Sequence, residues 1–143
     1  MKIGKIKLGY SSCSTHMIFD IKMDGAFTRK SSFVADGHKT KPPAAITYSS
    51  VVSNDSVRIE LTLASLNNLE VALCGVRNAY LNAQFREKLW TIAGPEIGSE
   101  RGSIMIIFRS LYGLKSSGAA QRAKLAETMS TLQYRPTQVD PDV

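Results

Sequence analysis

Two cysteines are all this 143-residue chain contains. Cys13 and Cys74 lie far apart and one sits inside an apolar run, which leaves neither a disulfide framework nor a zinc-ligand spacing. The expectation is a reducing intracellular setting, cytoplasmic or nuclear. Histidine is just as scarce: neither His16 nor His38 has a second histidine at ligand distance along the chain. No apolar run approaches the length of a membrane span. The opening MKIGKIKLGY has lysines with no uninterrupted apolar core behind them, so it fails as a secretory signal. Acidic side chains are in deficit, 12 against 18 Lys plus Arg, for a net charge of +6. The excess is uneven. Residues 1–50 hold eight basic and three acidic side chains, residues 51–100 four and six, and residues 101–143 six and three. Such a chain suits a polyanion such as nucleic acid, and the plainer alternative is that the charge serves solubility.

What is present is an ordinary globular composition, 43% hydrophobic and 21% charged, in a length that suits one domain. Residues 1–15 carry no firm period and read as a loose leader. HMIFDIKMD (16–24) alternates, with Met17, Phe19, Ile21 and Met23 on one side, which predicts a half-buried strand. Asp24-Gly25 marks a tight turn, and FTRKSSFVA (27–35) returns as a second strand. Asp36-Gly37 and Pro42-Pro43 give a loop. Ser53-Asn54-Asp55 offers capping oxygens to VRIELTLASLNN (57–68), a helix that Asn67-Asn68 would end. Its apolar positions are Val57, Leu61 and Ala64, with Ile59, Leu63 and Leu66 beside them. LEVALCG (69–75) reads as a buried strand that delivers Gly75 to its end. Short strands follow at 89–93 and 104–108. A helix over 117–133 carries Leu125, Met129 and Leu132 as its apolar stripe. The layout is α+β.

Four segments in this order resemble a known family. They are TRKSSFVADGH, ITYSSVVSNDSVRIELTLA, GVRNAYLNAQFREKLW and SLYGLKSSGAA. Together they resemble the reverse transcriptase domain of copia-type LTR retrotransposons, over about residues 17–143. That family shows K-A-R-L-V-A-x-G, then D-V-x-x-A-(F/Y)-L-N-G, then L-Y-G-L-K-Q. The resemblance implies an RNA-directed DNA polymerase of fingers-and-palm fold, here partial and incomplete at the C-terminus. Residues 1–15 would be the leader and residues 16–143 the domain. The hairpin would be the fingers, and an antiparallel sheet backed by helices the palm. Template-primer RNA or DNA would be the partner. In the intact family two Mg²⁺ ions, held by carboxylates, bridge the primer hydroxyl and the incoming triphosphate.

The alignment puts Gly75 where the first metal-binding Asp belongs. No aromatic-x-Asp-Asp turn, the family's second carboxylate source, occurs anywhere in the 143 residues. Asp140-Pro141-Asp142 resembles the D-P-x segment that precedes that turn, and otherwise reads as an exposed acidic turn. No metal or cofactor is therefore expected. The resemblance marks Lys30, Val76, Tyr80 and Lys115 as nucleotide-binding positions. Tyr80 corresponds to the aromatic that blocks a ribose 2′-hydroxyl, or reads as a core aromatic in a short helix. Arg77 is either a phosphate contact or an exposed turn residue. Ser31-Ser32, Ser116 and Gln121 replace the family's Ala-Arg, Gln and Trp.

The expected function is a degenerate, catalytically inactive fragment of that polymerase, a pseudoenzyme derived from a transposable element. One alternative is a small basic nucleic-acid-binding module in which Lys22, Arg29, Lys30, Lys39 and Lys41 track a backbone. Another is an incomplete gene model of an active enzyme whose frame continues to an Asp-Asp turn. A palm sheet without its last strands would also expose an edge through which copies could associate.

Overall fold

The computed structural model describes residues 6, 8–23 and 25–142. Strand β1 is the pair Ser11–Ser12, β2 spans Thr15–Ile21 and β3 spans Arg29–Ala35. Helix α1 covers Asn54–Leu66 and the short α2 covers Ala79–Asn82. Strands β4 (Leu89–Ile92) and β5 (Ile104–Ile106) precede α3 (Ser117–Thr131). The layout is α+β, as the sequence pattern implies.

β2 and β3 form an antiparallel hairpin with Met17 opposite Phe33 and Asp20 opposite Lys30. Cross-strand pairs of this kind fix the register of a hairpin. Of the expected turn, Asp24 lies outside the described residues; Gly25 has φ +75°, the left-handed conformation that glycine takes without strain. The expected half-burial holds only at the end near Ala35, where Met17, Phe33 and Val34 are half-buried; toward the turn Phe19 is 77% and Ile18 46% exposed, on opposite faces.

A second, three-stranded sheet has the order β1-β4-β5, parallel between β1 and β4 and antiparallel between β4 and β5. Part of the expected leader thus belongs to the fold: Ser11 N–H donates to Lys88 O at 2.9 Å, and Cys13 N–H to Trp90 O at 2.8 Å. Residues 1–5 and 7 of that stretch lie outside the described residues. The core is the cluster Cys13, Ala35, Phe85, Leu89, Ile107 and Leu114, with Leu111 against it.

α1 begins where Ser53 Oγ accepts the Ser56 N–H, and Asn67 caps its end. The left-handed Asn68 follows at φ +54°, a conformation asparagine tolerates better than most side chains. α3 is rich in alanine, the strongest helix former. Neither apolar stripe is covered: α1 buries no residue, and Leu125, Met129 and Leu132 of α3 are 42%, 39% and 61% exposed.

Residues 69–75 do not form the expected buried strand. Leu69 N–H still caps the helix by donating to Ala64 O, and no backbone hydrogen bond is made from residues 70–76 to the other described residues. Leu73 is fully exposed. Alternating apolar residues become a strand only beside a strand with free backbone groups, and none lies there.

Candidate functional site

Two of the sequence segments singled out above are welded together in the fold. Ala35 N–H at the end of β3 donates to Tyr112 O at 2.8 Å, and Val34 bridges Tyr112 in parallel fashion. The backbones then approach so closely that only glycine fits on either side. A Cβ at Gly37 would lie 2.9 Å from Leu114 Cα and closer still to the Gly113 carbonyl oxygen. One at Gly113, whose φ is +87°, would overlap the Ala35 carbonyl oxygen and come within 3.0 Å of Val34 Cγ1. VADGH and LYGLK are therefore one structural unit.

Lys115 completes that joint. It is half-buried, and its Nζ donates to Thr40 O at 2.7 Å, so the ammonium is committed to the loop after β3. Tyr80 joins the same region from α2. It is half-buried, with its ring edge-on to Tyr112 at 4.6 Å and 83°, a favourable aromatic geometry. Tyr80 thus lines neither a closed core nor an open face; it leans on the LYGLK tyrosine. The left-handed Asn78 starts its short helix.

The other candidate positions stand apart. Lys30 is exposed on β3 opposite Asp20. Val76 is 53% exposed and lines a shallow groove of about 520 Å³ together with Leu81, Arg109, Lys124 and Leu125. Gly75 is exposed, and an added Cβ would meet nothing within 4 Å. Arg77 is exposed too, and its carbonyl accepts from Asn82 Nδ2 at 3.2 Å. Among the described residues no hydrogen bond, ion pair or ring contact joins Gly75, Val76 or Lys30 to Tyr80 or Lys115.

The carboxylates are engaged elsewhere. Asp140 Oδ2 accepts from Ser53 N–H at 3.0 Å and from the Ser56 hydroxyl at 2.6 Å, and its other oxygen accepts the Asp142 N–H. Those bonds, led by the one from Ser56, hold its carboxyl below the ordinary range. Asp142 is likewise lowered, first by the Ser50 hydroxyl and then by Arg122, whose Nε donates to it. These two residues are therefore not an exposed acidic turn; they are half-buried and fully partnered. Among the described residues no three His, Cys, Asp or Glu side chains gather so as to hold a metal ion.

Asp36 is a hub that sequence reading passed over. It accepts from the Ser14 hydroxyl at 2.6 Å and from Lys39 Nζ at 2.8 Å, and His16 Nδ1 lies 3.0 Å away. The Lys39 and Ser14 hydrogen bonds bring its carboxyl down to about 2. Its place between Ala35 and Gly37, beside a segment already marked by motif, was the available signal. Among the described residues no helix is long and apolar enough to cross a membrane.

Comparison with known proteins gives these segments their context. The sequence profile described as "Reverse transcriptase (RNA-dependent DNA polymerase)" matches residues 7–142. The truncated transposon Ty1-A Gag-Pol polyprotein of Saccharomyces cerevisiae is 36% identical over 104 residues, covering 71% of this chain and 8% of that protein. The transposon Ty1-BL Gag-Pol polyprotein of the same yeast is 36% identical over 107 residues, covering 71% of this chain and 6% of its own length. The chain thus corresponds to less than a tenth of the curated relatives it matches. No solved structure matches it. The profile match and these relatives place the chain in the reverse transcriptase (RNA-dependent DNA polymerase) family, as a segment of the copia type.

Proposed function

We propose that these 143 residues are a partial fingers-and-palm unit that does not add nucleotides by itself. Gly75 carries this reading. It occupies the position where the family places a metal-binding Asp, and glycine has no side chain with which to anchor a divalent cation. The residues present do not fit a two-metal centre: Asp140 and Asp142 spend their oxygens on Ser53, Ser56, Ser50 and Arg122. The test is primer extension on RNA and DNA templates with Mg²⁺ or Mn²⁺. No product is expected from the chain or from Gly75→Asp, since open space around position 75 lets the carboxylate in but brings it no partner. Extension by either protein overturns the reading.

A second capacity has an observation of its own. The β2–β3 hairpin exposes Lys22, Arg29 and Lys30 and, interleaved with them along the chain, Phe19 and Phe27 at 77% and 62%; the register puts Arg29 on the Phe19 face and Lys30 on the opposite one. Cations interleaved with exposed rings suit a single-stranded nucleic acid, through phosphate contacts and base stacking. Lys39 contributes less, because Asp36 neutralises it. Binding of a labelled oligonucleotide should weaken steeply with salt, and Lys30→Ala with Arg29→Ala should flatten that slope by about 1.4. The exposed apolar run from Leu69 to Val76 also favours association between copies, which Leu73→Lys should reduce in sedimentation measurements.

A further inference from the structure

Helix α1 runs directly into the unpaired 69–76 segment, so whatever holds α1 also sets where that segment hangs. Apolar packing does not do the holding, because no residue of α1 is buried. The most closely packed element pairs are β1 with β4, β2 with β3, β4 with β5 and α2 with α3, and α1 is in none of them. The attachment of α1 is polar and sits at its N-terminal end. There the Asp140 carboxylate takes the Ser53 N–H and the Ser56 hydroxyl, where free amides and the helix dipole favour negative charge. Two residues later Asp142 is gripped by Ser50 and by Arg122 of α3. The acidic loop is folded in advance. Thr137 Oγ1 accepts the Asp140 N–H at 3.0 Å and donates to Asp140 O at 2.8 Å, and Pro141 stiffens the link between the two acids.

We propose that Asp140 and Asp142 form an acid-labile clasp that fastens the start of α1 to α3, and that opening it frees α1 together with the segment that follows. The charged groups facing the clasp are few. α3 supplies Arg122, α1 supplies none, since its Asp55 pairs with Arg58 at 3.2 Å, and the two acids repel each other. Both carboxyls lie below their usual 3.8. The clasp is therefore closed above that value and opens as pH falls beneath it. The apolar core contains none of these charges, so release is local.

Amide hydrogen exchange on the full chain tests this. Asp140→Ala should speed exchange in α1 about tenfold or more, as loss of a charged acceptor implies, and leave β4 and β5 unchanged. Arg122→Gln, which loosens only the Asp142 end, should give a smaller rise confined to α1. Unchanged α1 exchange, or an equal rise in β4 and β5, overturns the clasp. The unaltered chain supplies an independent measurement. As pH falls below the ordinary carboxylate range the α1 ¹³Cα resonances should move toward coil values before those of β4; simultaneous loss overturns the proposal as well.

Discussion

The two ends of the central sequence behave in opposite ways although their residue types match. Phe85, Leu89, Ile107 and Leu114 are each at most 7% exposed, whereas Leu66, Leu69, Val71 and Leu73 range from 63% to 101%. The first group lies where β1, β4 and the VADGH–LYGLK joint close on one another; the second has no surface opposite it. Hydrophobicity drives burial only where a complementary face exists. The family's motif residues divide along the same line. Tyr80, Gly113 and Lys115 are locked into the packed region, while Gly75 and Val76 hang on the open side.

This contrast can be broken most sharply at the core. Phe85→Ala should cost about 3 kcal/mol or more, read as a lower urea midpoint at unchanged slope. Gly113→Ala should cost about 3 kcal/mol, because a Cβ there meets the Ala35 carbonyl at a φ only glycine holds easily. A midpoint within experimental scatter of the parent would show that the joint is not the tight contact it looks.

Acid should act next, through Asp36. Its folded carboxyl titrates near 2 instead of 3.8 because Lys39 and Ser14 bond the charged form. A depressed carboxyl stabilises fully above its unfolded value and loses that contribution as pH falls toward its folded one. The hub should therefore weaken from about pH 4 down to about pH 2. Asp36→Asn should remove that part of the acid dependence, seen as a flatter stability profile in that window. An unchanged profile would mean the hub contributes nothing.

The smallest effects belong to the open side. Leu73→Ala and Gly75→Ala should each change stability by no more than about 0.5 kcal/mol, since neither position touches anything. A loss of several times that for Leu73→Ala, at a concentration where the chain is monomeric, would mean the segment is covered within the chain and would erase the contrast.

Much was legible beforehand. The hairpin follows from alternation and a turn glycine, α1 from Ser53 and Asn67, and the family from four short segments. What escaped was anything that needs two distant pieces at once. The fate of LEVALCG depended on a neighbouring strand, which no periodicity can announce. Gly37 read only as part of a loop and Gly113 only as part of a motif, and their contact alone shows why neither can carry a side chain. Asp36 and Asp140 gave no sign of their partners, since Ser14, Ser53 and Ser56 carry no motif.

The chain by itself determined most local elements and the family, because capping, alternation and residue identity are properties of neighbours along the backbone. Only the tertiary structure decided which apolar runs are buried, which lysine is committed to a carbonyl and which carboxylates are taken. Those outcomes depend on the groups that folding brings opposite one another.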